Sequence, residues 1–248
     1  MILLLKRWVL AFVAPRPLVG VRYLFRYFRD WRQFGAAAQP SERPVWGESY
    51  PCLTDWVAAT PFDPHYFFQG AWLARRLKDS AALLHVDVGS SVMMASVLSA
   101  QLPVVFADYR PLQATLSGLF PLAADVKRLP FADNSINSLS SLHVLEHIGL
   151  GRYGDALDPH GTSVAARELA RVLTRGGRLY VSVPTGRPRV CFNAHRVFEP
   201  AAFRALFGDL RCISFSMVND AGYFVESADE RAAAAAEYAC GMYEFVKD

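Results

Sequence analysis

The chain is poor in the features that mark several protein classes. It has four cysteines in 248 residues, Cys52, Cys191, Cys212 and Cys240, and no Cys-x-x-Cys pair. Neither a disulfide framework nor a zinc knuckle is therefore expected, and the thiols read as the reduced thiols of a cytoplasmic chain. No apolar run reaches the ~20 residues of a spanning helix, because MILLLKRWVLAFVA is broken at Lys6-Arg7. Its start is apolar and no Ala-x-Ala follows residues 8–14, so it also departs from a signal peptide. No internal repeat is present. Acid is scarce at one end: residues 1–35 hold Asp30 alone against Lys6, Arg7, Arg16, Arg22, Arg26, Arg29 and Arg32. Of the chain's 26 basic and 23 acidic groups, the remaining residues keep 19 and 22. That slightly acidic body excludes a nucleic-acid-binding surface by charge and leaves the N-terminus as the part that seeks anions.

At 52% apolar and 20% charged residues the chain is globular. Residues 1–35 form a basic amphipathic segment. After Pro15 and Pro17, Arg22, Arg26, Arg29 and Gln33 fall on one helical face and Leu24, Phe25, Phe28 and Trp31 on the other. This is the pattern of a helix lying at the inner face of a membrane; the alternative is a helix docked on its own domain. Residues 36–59, rich in Gly, Pro and Ser, read as a linker, and 60–248 as the main domain.

The main domain opens with HYFFQGAWLARRL (65–77), a helix whose His65, Tyr66 and Gln69 are placed to close a pocket. LLHVDVGSS (83–91) follows, an apolar run through Asp87 into Gly89-Ser90-Ser91, read as a buried strand turning into a helix. A second strand, VVFADYRP (104–111), ends at Asp108, 21 residues after Asp87. An acid about 20 residues beyond such a turn receives ribose hydroxyls in nucleotide-binding βαβ units. A third strand ends at Asp125, and a fourth (136–142) runs into HVLEHI. A periodic helix over 164–174, with Ser163 as N-cap and Gly176-Gly177 as its stop, leads to a fifth strand, RLYVSVP (178–184). PAAFRALF then reads as a helix, RCISFSMV and MYEFV as strands, and 230–240 as a surface helix. Alternating strands and helices predict an α/β, Rossmann-like, doubly wound, mostly parallel seven-stranded sheet with an N-terminal amphipathic helical extension.

DVGSS, the acid of FADYRP, DVKRLPFADNSINSLSSLHVLEHI and ELARVLTRGGRLYVSVP together resemble the class I S-adenosylmethionine-dependent methyltransferases, over roughly residues 60–184. HVLEHIGLGRYGD and RVCFNAHR look closest to a poorly characterised branch found among surface-polysaccharide biosynthesis proteins. The resemblance implies S-adenosylmethionine as cofactor, held by Asp87, Gly89, Ser90, Ser91, Asp108, Asp125 and Val126. Ser90-Ser91 stand where the family often has a second glycine, and Ile136-Asn137 where it often has an aromatic and an aspartate. The expected acceptor is a hydroxyl of a glycan or lipid-linked sugar precursor. His143 and His195 are the candidate bases, with His143 as a loop-ordering residue the alternative. Arg152, Tyr153, Asp155, Asn193 and Arg196 are the candidate acceptor-binding residues. The competing reading is a non-catalytic module of the same fold, acting in assembly at a membrane.

His143, Glu146 and His147 also match H-x-x-E-H, a zinc-protease spacing. His143 follows a strand directly, Gly149 and Gly151 interrupt any helix, and no third ligand is evident, so no metal is expected. Asp155 and Asp158, two carboxylates three apart, match a hard-metal pair and equally a pair of acids that cap the next helix.

Overall fold

The computed structural model describes residues 17–248, with side chains from residue 22 onward. The apolar stretch 1–14, with Lys6, Arg7 and Arg16, lies outside the described residues. Two compact units emerge, one ending at Phe62 and the other spanning Asp63–Asp248.

In the first unit, helix α1 (Pro17–Ala37) carries the basic and aromatic residues as the spacing predicts. The glycine- and proline-rich stretch after it folds back on this helix. Two 3-10 turns, Pro40–Glu42 and Trp46–Glu48, bring the Trp46 ring to 6.2 Å from both Phe28 and Trp31. The Arg26 guanidinium lies 3.4 Å over the Trp56 ring and pairs with Asp30 at 3.2 Å. Among the described residues, no helix is long and apolar enough to cross a membrane.

The second unit is an eight-stranded, mostly parallel sheet with helices on its faces. It opens with α2 (Pro64–Ser80), whose start is fixed by Asp63: the carboxylate accepts the His65 and Tyr66 amides, and Pro64 pre-sets the first turn. Such a cap is worth about 1 kcal/mol. Strands β1 (His85–Val88), β2 (Val104–Asp108), β3 (Leu119–Ala123), β4 (Ile136–Leu142) and β5 (Leu173–Thr185) pair in parallel in the order β3-β2-β1-β4-β5. Helix α3 (Val92–Leu98) follows β1, and α4 (Gly161–Val172) precedes β5. The sheet continues as β10 (Ala239–Val246), antiparallel to both β5 and β8 (Arg211–Val218). An eighth strand, β9 (Phe224–Val225), adds to the edge of β8, where the sequence predicts seven strands. Two residues are too few to show a period of two.

Other boundaries shift for local reasons. Leu83 and Leu84 stay exposed ahead of β1, so the apolar run starts before the strand does. His160, and not Ser163, is the residue before α4; the Ser163 hydroxyl donates back to the His160 carbonyl. Gly176 takes the left-handed φ of +74°, but within β5, after Val172 has ended the helix. RVCFNAHR is a separate hairpin, β6 (Arg189–Cys191) with β7 (His195–Val197). Pro200–Ala205 is helix α5, and the expected helix over 230–240 shortens to α6 (Glu230–Ala235), because Ala239 and Cys240 are taken into β10.

The two faces of the sheet differ. Val86, Val88, Leu139 and Val181 join α4 residues such as Leu169 in one apolar core. On the opposite face, Phe106, Leu142, Tyr180 and Met242 pack with Trp72 and Leu73 of α2. Each such side chain contributes ~1.5–3 kcal/mol by leaving water. The second face also carries a polar layer, because His85, Asp87, Ser138, Ser140 and Ser182 have the parity that points there.

Candidate active site

The order of strands reverses between β1 and β4, and open α/β sheets bind ligands outside the carboxyl ends at that point. A cleft of about 930 Å³, counted to its open mouth, occupies this place. Gly89 forms its floor with φ +71°. A Cβ there would meet Val144 at 3.2 Å and stand 3.9 Å from Asp108 Oδ2, so glycine keeps the space between these groups open. Asp108 Oδ1 accepts the Arg110 amide at 2.7 Å, which turns the carboxylate along the cleft wall. Asp125 stands two residues beyond β3 in a tight turn, Oδ1 accepting the Lys127 amide at 2.8 Å.

Of the seven residues expected at a cofactor, Gly89, Asp108, Asp125 and Val126 line the cleft. Asp87 and Ser90 lie beneath it, and Ser91 precedes α3 without a side-chain cap bond. Asp87 and Ser90 are held by hydrogen bonds within the fold. The Ser90 amide donates to Asp87 Oδ1 at 3.1 Å, and the Ser90 hydroxyl accepts the Leu142 amide at 2.8 Å. Ser90 thus ties the turn to β4.

Asp87 also ends a buried chain of hydrogen bonds. Ser140 Oγ donates to Asp87 Oδ2 at 2.5 Å, and the His85 ring bridges Ser140 and Ser138 at 2.8 Å each. Because Ser140 spends its proton on Asp87, His85 donates from Nε2 and accepts at Nδ1 from Ser138. Burial pushes His85 down to about 3 and Asp87 up to about 6, the latter against the bonds from Ser140 and Ser90.

These shifts oppose each other in stability. Unfolded Asp87 ionises above about pH 4 but keeps its proton to about 6 in the fold, so stability falls as pH rises through that window. Unfolded His85 takes up a proton below about pH 6.5 but stays neutral to about 3 in the fold, so stability falls as pH drops through that range. Asp87→Asn removes only the first effect, since an amide can donate to Ser140 while the serine donates to His85. The variant should match the parent near pH 4 and exceed it by up to ~3 kcal/mol above pH 7, because each tenfold change in proton affinity is worth about 1.4 kcal/mol. Thermal melts across this range check it; a difference independent of pH would refute it.

The other predicted residues divide. His143 (φ +54°) lines the cleft, with Nδ1 2.7 Å from Glu146 Oε1 and Nε2 shut off from solvent without a hydrogen-bond partner. Burial alone would depress this ring, yet Cys240 and Glu146 facing it raise it well above its usual value. Tyr66 stacks on it at 5.5 Å, while Gln69 is buried and accepts the Ser182 hydroxyl at 2.6 Å. Tyr153 and Asp155 line the cleft. The Asp155 oxygens accept the Gly149 and Tyr153 amides, so this acid holds its own loop. Arg152, Asn193, His195 and Arg196 are not among the lining residues. Arg152 donates to the Ala194 carbonyl at 3.0 Å and Arg196 to the Ile148 carbonyl at 2.7 Å, so both arginines clamp the β6-β7 hairpin to the loop after β4. Asn193 is exposed at the hairpin tip, and the His195 ring packs 5.2 Å from Tyr238.

Two lining residues carry chemistry that the sequence reading did not assign. Arg110 lies 4.3 Å over the Tyr153 ring. His147 has Nδ1 2.6 Å from the Ala194 carbonyl; a carbonyl only accepts, so Nδ1 carries the proton and Nε2 the lone pair. Burial lowers the His147 pKa, which keeps the ring neutral at physiological pH.

This architecture is the Rossmann-like fold of the class I methyltransferases. NodS, an N-methyltransferase of Bradyrhizobium japonicum solved in complex with S-adenosyl-l-homocysteine, has a TM-score of 0.53 at 16% identity, covering 88% of this chain and 97% of that one. The [4+2]-cyclase SpnF has a TM-score of 0.51 at 14% identity, covering 72% and 79%. The family model described as "Caenorhabditis protein of unknown function, DUF268" matches residues 112–236, and the chain belongs to that family. No curated protein matches the sequence.

Proposed function

We propose that the protein transfers a methyl group from S-adenosylmethionine to a hydroxyl of a glycan or lipid-linked sugar precursor. The observation that carries this reading is the convergence of Gly89 and Asp108 on one cleft at the switch point of the sheet. The cleft fits the cofactor: glycine leaves room for close backbone approach, and the Asp108 carboxylate is placed to accept from ribose hydroxyls. Asp125 and Val126 border the adjoining wall, where an adenine would lie. NodS, of the same fold, is solved with the demethylated product of this cofactor. When bound, the cofactor supplies an electrophilic methyl group.

The residues of the chain then supply binding and proton acceptance. A hydroxyl must lose its proton as it attacks, and a neutral imidazole with a free lone pair is suited to take it. His147 Nε2 fits this role best among the cleft histidines, because His143 Nε2 is closed off from solvent. His195 remains the second candidate, on the hairpin beside Tyr238. The Tyr153 ring, flanked by Arg110 at 4.3 Å and Arg152 at 5.1 Å, offers a sugar face and positive charge for a phosphate. A membrane-borne acceptor accords with α1, where Phe25 and Phe34 are exposed on a helix that also bears Arg22, Arg29 and Arg32.

Calorimetric titration with S-adenosylmethionine tests the cofactor. Asp108→Ala should weaken binding by ~1.5–3 kcal/mol, about 10- to 150-fold, without loss of fold. A folded wild-type protein that binds no S-adenosylmethionine ends the enzymatic reading and favours the assembly module. Labelled cofactor incubated with fractionated cell material tests the acceptor, and label confined to protein or RNA would defeat the glycan assignment.

A further inference from the structure

The H-x-x-E-H stretch lacks a third metal ligand in its own neighbourhood, but the fold brings two candidate ligands from distant segments beside His143. His65 in the first turn of α2, His143 after β4 and Cys240 in β10 each present a ligand atom, all within 4.8 Å of one another. We infer that these three residues bind a zinc ion.

Three observations carry the inference. The donor set, two imidazoles and a thiol, suits zinc, and three protein ligands with an open fourth position match the arrangement of catalytic zinc sites. Tetrahedral Zn–N and Zn–S bonds of ~2.0–2.3 Å place neighbouring donors roughly 3.3–3.8 Å apart, so the cluster needs only a small contraction. Second, His143 Nε2 is buried with no hydrogen-bond partner, and an unpaired buried nitrogen is costly unless something else satisfies it. Third, Glu146, 1% exposed, holds His143 Nδ1 at 2.7 Å. A carboxylate on the far nitrogen of a ligating histidine is the usual outer support of zinc, fixing the tautomer and leaving Nε2 for the metal. The H-x-x-E-H stretch thus contributes one ligand and its supporting acid, in a manner unlike the protease.

His143 also lines the cleft, but its Nε2 is shut off from solvent and neither His65 nor Cys240 is a lining residue, which puts the metal behind the cleft wall. The fourth position falls to a water enclosed behind the cleft wall.

The test uses the full chain, stripped with a chelator and titrated with Zn²⁺ against a chromophoric competitor, in the absence of S-adenosylmethionine. One equivalent should bind with submicromolar affinity. Co²⁺ in its place should show a thiolate-to-cobalt charge-transfer band that Cys240→Ser abolishes. Glu146→Gln should weaken zinc binding by about 10–100-fold. His65→Gln, at the cluster's rim, should weaken it at least about tenfold and covers the case in which Cys240→Ser does not fold. A folded wild-type chain without stoichiometric zinc binding, or a cobalt complex without the thiolate band, overturns the inference. Neither result depends on cofactor binding, so failure of this site and failure of the methyl-transfer reading are read separately.

Discussion

Gly149→Ala should cost roughly 3 kcal/mol of stability or more and collapse the loop that walls the cleft. Gly149 has φ +77°, and a Cβ built on it would stand 1.9 Å from the Asp158 carbonyl oxygen. That oxygen is backbone, and its segment is pinned by the Asp158 amide donating to the Gly149 carbonyl at 3.0 Å. Left-handed strain costs ~1–2 kcal/mol, and forced repacking ~1–3 kcal/mol more. Gly154→Ala is the control in the same loop: its φ is +86° but nothing lies within 4 Å of the added carbon. It should therefore lose only the strain, ~1–2 kcal/mol. Urea unfolding midpoints compare the two, and equal losses would show that the close approach at Gly149 is relieved by movement.

His147→Gln should lower turnover by about 10²–10⁴-fold while S-adenosylmethionine affinity stays within a few-fold, the range for a lost general base. The pH profile gives a second readout. Burial lowers the His147 pKa, so activity should rise with pH through a limb below the ordinary histidine value. The glutamine variant should lack that limb. The same substitution at His195, whose ring packs on Tyr238, separates the candidates. A loss confined to His195 would move proton acceptance from the cleft wall to the hairpin.

The parts of this fold that were legible in the sequence are those where one side chain type serves one purpose. Apolar runs ending in Asp87 and Asp108 became β1 and β2, and Gly89 took the positive φ that its place at the turn requires. The strand INSLSSL was harder to interpret chemically, because its serines look like surface residues. Ser138 and Ser140 are buried, and their purpose appears only when β1 sets His85 and Asp87 beside them. Arg196 has partners that its charge did not suggest. Charge in a loop suggests an anion, yet Arg196 reaches the main-chain carbonyls of a segment about 50 residues away. His65, His143 and Cys240 lie on three separate elements, so no spacing rule joins them.

The clamp between the β6-β7 hairpin and the loop after β4 has a mechanical consequence. Arg196 grips it through its guanidinium and its amide, Arg152 through the Ala194 carbonyl, and His147 through the same carbonyl. The outer rim and the imidazole are thus tied together: the hairpin that carries the exposed tip also holds Nδ1 of His147 and with it the aim of the other nitrogen. On the proposed reading, a molecule that settles on the rim would bear on the angle at which His147 Nε2 faces the cleft, and arrival of the acceptor would be coupled to alignment of the base.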